Sequence, residues 1–240
     1  TAPVIALNGA SPVTVECGDS YSDAGAIAVD NCEGVLTSSI VTFNPVNVNV
    51  PNTYTVRYNV SDSASNTASE VTRTVNVVDT TVPVITLAGT TPVIVQCGDS
   101  YTDAGATALD DCDGDITTSI VTLNSVNTAA AGTYTVTYNV SDSASNAATE
   151  VVRTVEVVDT TSPVITLQGA SSVIVNLNDS YTDAGATASD VCDGDLTAAI
   201  VVGGDVVDTN TIGTYVITYN VTDSAGLSAD EVTRTVEVVD

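Results

Sequence analysis

Aspartate and cysteine supply most of the reactive chemistry in this sequence, and they recur together. Residues 98–117, GDSYTDAGATALDDCDGDIT, place Asp110, Asp111, Asp113 and Asp115 around Cys112. The same stretch starts at Gly18 (GDSYSDAGAIAVDNCEGVLT) and at Asn178 (NDSYTDAGATASDVCDGDLT), where the third copy offers Asp190, Asp193 and Asp195. Closely spaced carboxylates are hard oxygen ligands, and calcium takes roughly six to eight such oxygens. The spacing is not that of an EF-hand. Counted from Asp111, Thr122 stands where the bidentate glutamate belongs and the glycine falls fourth instead of sixth. The ligand sets expected for Ca²⁺ are Asp79, Asp99, Asp110, Asp113 and Asp115 in the second copy, and Asp159, Asp190, Asp193 and Asp195 in the third. The first copy, with Asp30, Asn31, Glu33 and Val35, is depleted. The competing reading is a solvated turn whose aspartates cap backbone N–H groups.

The cysteines follow the same repeat. Cys17 and Cys32 are 15 residues apart, as are Cys97 and Cys112, whereas Leu177 stands at the first position of the copy that contains Cys192. This pattern predicts Cys17–Cys32 and Cys97–Cys112 bridges, each closing a loop worth roughly 3 kcal/mol. It leaves Cys192 as an unpaired, inert thiol. The alternative is five small buried hydrophobes. The spacing does not match a zinc ribbon, and there is no histidine to complete a site. Disulfides imply an oxidising compartment.

Arg73, Arg153 and Arg234 share the phase of their flanking valines, as in Val71-Thr-Arg-Thr-Val-Asn-Val. An inward arginine needs a carboxylate. Asp23, Asp103 and Asp183 recur as faithfully and are the expected structural partners. Tyr58, Tyr138 and Tyr219 sit where a tyrosine corner would be. Asn59, Asn139, Asn178 and Asn220 each open an N-x-S/T triplet, a glycosylation acceptor in an exported protein. Catalytic readings are narrow. With no Lys and no His, a histidine-based triad, a Schiff base and a phosphate-binding lysine loop are impossible. A two-carboxylate hydrolase is allowed by residue type, but the aspartates crowd into one turn. The chain is expected not to be an enzyme.

The elements that position these residues repeat three times. Pro3, Pro83 and Pro163 are 80 residues apart, and so are Tyr21, Tyr101 and Tyr181; Arg73, Arg153 and Arg234 are spaced 80 and 81, so the third copy holds one inserted residue. Domains are expected over 1–79, 80–159 and 160–240. Each copy opens on Pro-Val-Ile, an edge strand with proline at its start. A second strand (Val93–Cys97), a third (Ile120–Leu123) and an alternating strand (Thr133–Ser141) follow. The last, Glu150–Val158, closes a hairpin. Strict alternation, as in Tyr134, Val136, Tyr138 and Val140, buries one face. No helical period is present. Roughly seven short strands per copy predict a β-sandwich. Joints such as Val78-Asp-Thr-Thr-Val-Pro83 contain no flexible Gly/Ser tract, so an elongated rod is expected.

Charge narrows the partners. Thirty acids against four arginines give a net charge of −26, from missing cations more than surplus acid. Phosphate-rich partners are repelled, so neither nucleic acid nor an anionic membrane is expected. No apolar run is long enough to span a bilayer. With neither an initiating methionine nor a signal peptide, the sequence reads as a segment of a longer exported protein.

The pattern D-T-T-x-P-V-I-T-L…G-D-S-Y-T-D-A-G-A-T-A…D-G-D…G-T-Y-T-V-T-Y-N-V-S-D…R-T-V-E-V-V-D resembles the bacterial Ig-like repeats of surface proteins and adhesins. It is more distantly similar to hyalin-repeat modules, which carry a comparable cysteine pair. The resemblance covers the whole chain three times. It implies three tandem Ig-like β-sandwiches, an extracellular or cell-surface location, and a non-catalytic spacer or stalk. Neighbouring repeats of a longer chain are the expected partners, and self-assembly into a filament is a variant of that reading. The rival is a module binding carbohydrate or a host protein, with residues 203–213, GGDVVDTNTIG, as the place to look. The departures are the cysteines, where other members often have valine, and the missing Asp-Gly-Asp of the first copy.

Overall fold

The computed structural model describes residues 1–240 and is all-β, apart from three single 3₁₀ turns. The first repeat shows how the sequence builds its layers. Strand β1 (Val4–Leu7) lies at the edge of a three-stranded sheet, with β3 (Ala26–Asp30) in the middle and β4 (Gly34–Val35) beyond it. The second sheet has the order β2 (Val13–Glu16), β7 (Val71–Val78), β6 (Asn52–Asn59) and β5 (Val41–Phe43). The chain thus changes sheets between β1 and β2. As a result β2 runs parallel to β7, with Val13 opposite Val75 and Glu16 opposite Val78, while all other pairs are antiparallel.

Alternation sets the core. Val56 and Tyr58 on β6 and Val75 on β7 are fully buried against Ala28 and Ile5 of the other sheet, while the threonines between them turn outward or stay half-buried. With no tryptophan in the chain, tyrosine and valine carry the interior. Removing such side chains from water is worth roughly 1.5–3 kcal/mol each.

The pattern recurs. The middle repeat has sheets β8 (Val84–Leu87), β10 (Ala106–Asp110), β11 (Gly114–Asp115) and β9 (Val93–Gln96), β14 (Val151–Val158), β13 (Gly132–Asn139), β12 (Val121–Asn124). The third has β15 (Val164–Leu167), β17 (Ala186–Asp190), β18 (Gly194–Asp195) and β16 (Ser172–Asn176), β21 (Val232–Val239), β20 (Gly213–Asn220), β19 (Val201–Gly204). The fold is therefore three tandem β-sandwiches.

The aspartate stretch is not one loop. Its centre is the strand β3, β10 or β17, followed by a tight turn and the short β4, β11 or β18. The inward residues of this strand are alanines (Ala28 and Ala108 fully buried, Ala188 nearly so). Alanine has little strand propensity of its own, and packing against the facing sheet overrides it.

Two compact units are present. One comprises residues 1–88, 105–122 and 138–151, and the other 89–104, 123–137 and 152–240. The first contains the joint between repeats one and two, and the second the joint between repeats two and three. No helix is long and apolar enough to cross a membrane.

Candidate functional site

The chemistry concentrates at the two joints. In repeat one, β2 runs beside the last strand, so Cys17 sits at the repeat's trailing end, its N–H donating to Val78 O at 2.7 Å. Strand β3 runs the other way along β1, placing Asp30 near Thr1, whose hydroxyl donates to it at 3.2 Å. Cys32 follows at the leading end. Cys17 and Cys32 therefore lie at opposite ends of the sandwich, and the expected Cys17–Cys32 bridge does not form. Instead Cys17 bonds Cys112, which occupies the leading end of repeat two, with Cα atoms 5.4 Å apart. In the second unit Cys97 bonds Cys192 in the same way, with Cα atoms 5.6 Å apart. The expected Cys97–Cys112 pairing is thus also replaced, and Cys192 is not a free thiol. The free cysteine is Cys32, and it is exposed. Both bridges span 95 residues, the repeat length plus the 15-residue internal spacing. A loop of that length is worth about 4–5 kcal/mol by the chain-entropy estimate.

Around each bridge the backbones come close. Gly98, next to Cys97, has φ +85°, and a Cβ there would lie 2.4 Å from Val191 Cγ1. Asn178 holds the matching left-handed position in repeat three, at φ 69°. Across the first joint, Glu16 accepts the Thr80 N–H and hydroxyl at 2.6 and 2.9 Å. Gln96 accepts the Thr160 hydroxyl at 2.5 Å in the second.

Beside each bridge lies a trio of aspartates. Asp79, from the joint itself, Asp110, at the end of β10, and Asp142, in the turn after β13, bring one carboxylate oxygen each to within 4.8 Å of one another. All three are buried, with 9, 7 and 8% exposure. Asp159, Asp190 and Asp223 form the matching trio. One oxygen of each carboxylate is tied to the protein. Asp79 Oδ1 takes the Thr81 hydroxyl at 3.1 Å; Asp110 Oδ1 takes the N–H groups of Cys112 and Asp113 at 2.8 and 2.9 Å. Asp142 holds its turn through the Asn146 N–H and amide at 2.7 and 2.8 Å. The Oδ2 atoms of Asp79, Asp110, Asp159 and Asp223 are buried without a partner. Burial holds the Asp79 carboxyl above its ordinary value of 3.8; the nearby Asp110 and Asp142 charges add to this, against the bond from Thr81.

The other aspartates of the sequence reading stand apart from these trios. Asp113 accepts the N–H and hydroxyl of Ser143 at 2.6 and 2.9 Å, and Asp193 does the same with Ser224 at 2.6 and 2.7 Å. Asp115 and Asp195 cap the N–H groups of Thr117 and Thr197, each at 2.9 Å. Asp99 is exposed in the turn after β9, its N–H bonded to Gln96 O at 3.1 Å or less. Asp142 and Asp223 were missed. Their signal is the recurring Asp-Ser-Ala turn after the long alternating strand, which sits 30 residues downstream of the aspartate stretch.

A second cluster lies inside each sandwich. Arg73, 1% exposed, pairs with Asp23 and reaches the carbonyls of Asn8 and Gly25. Arg153 pairs with Asp103 at 3.0 Å, and Arg234 pairs with Asp183. The hydroxyls of Tyr21 and Tyr58 donate to Asp23 at 2.8 and 2.5 Å. Those of Tyr181 and Tyr219 donate to Asp183 at 3.0 and 2.5 Å. Tyr58 and Tyr219 thus bond a carboxylate, not the backbone carbonyl of a tyrosine corner. That backbone bond is made by Tyr54, Tyr134 and Tyr215, to the carbonyls of Val50, Ala130 and Thr211 at 3.0, 2.9 and 3.1 Å. Burial pushes the Asp23 carboxyl up, but the bonds from Tyr58 and Tyr21 and the Arg73 charge outweigh it and hold it low; Asp183 behaves alike. Burial and the bond to Asp183 push the Tyr219 hydroxyl up to about 12.

The sequence profile described as bacterial surface protein, Ig-like domain, matches residues 5–77, 85–157 and 165–238. The chain belongs to this bacterial surface Ig-like family. Among relatives, it is 34% identical over 138 residues to the pesticidal crystal protein Cry22Aa of Bacillus thuringiensis, covering 55% of this chain and 18% of that protein. It is 29% identical over 215 residues to an 81.3 kDa protein of Acholeplasma phage L2, covering 83% of this chain and 28% of that one. The chain therefore spans less than a third of the length of these curated relatives. A solved lipoprotein of Bacteroides thetaiotaomicron is 25% identical over 32% of this chain and 37% of its own, with a TM-score of 0.29. In this surface Ig-like family member, each matched segment ends within two residues of β7, β14 or β21. The joints with their bridges and aspartate trios thus fall between the matched segments.

Proposed function

We propose that the chain is a non-catalytic, extracellular spacer segment of a microbial surface protein, in which consecutive sandwiches are covalently joined so that the segment keeps its length. The observation that carries this reading is the pairing of Cys17 with Cys112 and of Cys97 with Cys192. A bridge inside one sandwich would stabilise that sandwich alone. A bridge from the trailing end of one repeat to the leading end of the next removes bending freedom at the joint. Such a bridge also needs an oxidising compartment, which supports an extracellular location. The arginines and buried tyrosines serve the interior and leave no nucleophile–base pair poised for chemistry.

Electron microscopy of single particles before and after reduction tests the reading. Oxidised chains are expected as straight particles on the order of 100 Å or more, from three strand lengths of roughly 35 Å each. Reduced chains are expected to bend at two points. Particles equally flexible in both states would sink the spacer reading. Long regular fibres would replace it with a filament subunit. Carbohydrate binding that maps to residues 203–213 would replace it with an adhesion module; in repeat three, Gly203, Gly204, Asp205, Val206 and Val207 line a cleft of about 370 Å³ together with Tyr181.

A further inference from the structure

We infer that the trios Asp79–Asp110–Asp142 and Asp159–Asp190–Asp223 are two divalent-cation sites, each built to take calcium. The sites go beyond the spacer reading and stand without it. Three observations carry them. First, the geometry is convergent: in each trio three carboxylate oxygens from three separate segments lie within 4.8 Å of one another. Secondly, the free oxygens point inward. Asp79, Asp110 and Asp223 are more than nine-tenths buried, and the Oδ2 of each lacks a partner, although its Oδ1 is fully engaged. Buried polar atoms in native proteins are almost always paired, and three uncompensated carboxylates in one place repel.

Thirdly, the chain has no cation of its own to offer. It contains neither lysine nor histidine. All four guanidinium groups are committed elsewhere, to Glu70, Asp23, Asp103 and Asp183. A bound metal ion is the remaining way to neutralise the trio. The donor set decides its class. It is all oxygen, and the nearest sulfurs, of Cys112 and Cys192, are consumed in disulfides. Hard oxygen donors select calcium, magnesium or manganese over zinc and copper. Carboxylates drawn from a joint, a strand end and a distant turn form an irregular cage. Calcium accepts such a cage and completes it with carbonyls and water, whereas magnesium demands a near-ideal octahedron. Asp79 and Asp159 belong to the joints, so an ion here ties each joint to the repeat that follows it.

The test is a calcium titration of the chelator-treated 240-residue chain by calorimetry, with magnesium in a parallel arm. Two calcium ions per chain are expected, and magnesium is expected to bind more weakly. Asp110→Asn and Asp223→Asn are the informative variants, because each can keep the Oδ1 that accepts backbone N–H groups and loses only the free oxygen. Each single variant should bind one ion and the double variant none. Asp115→Asn and Asp195→Asn, which alter the exposed caps, should still bind two. If the double variant fails to fold, thermal unfolding of the unmodified chain decides: its midpoint must rise with calcium and fall back on chelation. No calcium bound by the folded chain, two ions retained by a folded double variant, magnesium bound as tightly as calcium, or a midpoint blind to calcium would each overturn the assignment.

Discussion

Arg73, Arg153 and Arg234 are the largest buried side chains of the protein, and what surrounds them sets the cost of removing them. Each guanidinium meets one carboxylate at the heart of a repeat. Deleting one partner of a buried pair leaves the other charge stranded, at roughly 3–5 kcal/mol. Arg234→Ala should therefore lower stability by about that much in chemical unfolding. Arg57→Ala should change it by less than about 1 kcal/mol, because Arg57 and Glu70 pair at the surface with side chains 52% and 38% exposed. Equal losses in the two variants would refute the assignment of Arg234 to the core. The same carboxylates set the acid limit. Asp23 and Asp183 are held below their ordinary value of 3.8 in the folded chain, where hydrogen bonds from tyrosine and the arginine charge overcome burial. Their contribution is fully present above the unfolded value and disappears as pH falls through the lower, folded one. Stability followed from pH 6 down to about 2 should drop below roughly pH 4, and the drop should be smaller in Asp183→Asn than in the unmodified chain.

At the scale of elements, the turn between β9 and β10 shows how tightly the second joint is built. Gly98 combines φ +85° with a neighbouring Val191 that leaves no room for a Cβ. Gly114, in the turn between β10 and β11, has φ +73° and open space around it. Both positions penalise alanine for its backbone, roughly 1 kcal/mol, but only Gly98→Ala must also displace Val191. Gly98→Ala is expected to destabilise clearly more than Gly114→Ala in thermal unfolding, and equal shifts would mean that the approach to Val191 is loose. The long strands β6, β13 and β20 were legible because tyrosine and valine alternate with threonine and asparagine. Strands β3, β10 and β17 were not, because alanine, threonine and aspartate carry little strand signal until a facing sheet supplies the burial. The inward phase of the arginines could be read from their valine neighbours. The choice of tyrosine for the backbone bond could not, since it depends on which ring lies over the loop before its strand.

At the scale of the whole chain, the periodicity that revealed the repeats also concealed their connections. Two cysteines that recur at a constant spacing inside a repeat invite a bridge inside it. The parallel pairing of β2 with β7 sends the first cysteine to the trailing end, whereas β3, antiparallel to β1, carries the second to the leading end. Periodicity then makes each first cysteine the neighbour of the next repeat's second one. The aspartates obey the same rule: Asp79 and Asp159 stand at the end of one repeat and meet residues of the next. The rule fixes what disulfide mapping must find. Digestion without reduction should yield Cys17 linked to Cys112 and Cys97 linked to Cys192, with Cys32 the one residue labelled by a thiol reagent in the native chain. Cys17→Ser should raise the number of reactive thiols, after unfolding, from one to two and lower stability by roughly 2–5 kcal/mol. Cys32→Ser should abolish labelling and leave stability unchanged within about 0.5 kcal/mol, as for an exposed residue. Recovery of Cys17 linked to Cys32 from freshly purified protein would overturn the offset pairing, and with it the covalent joint on which the spacer reading rests.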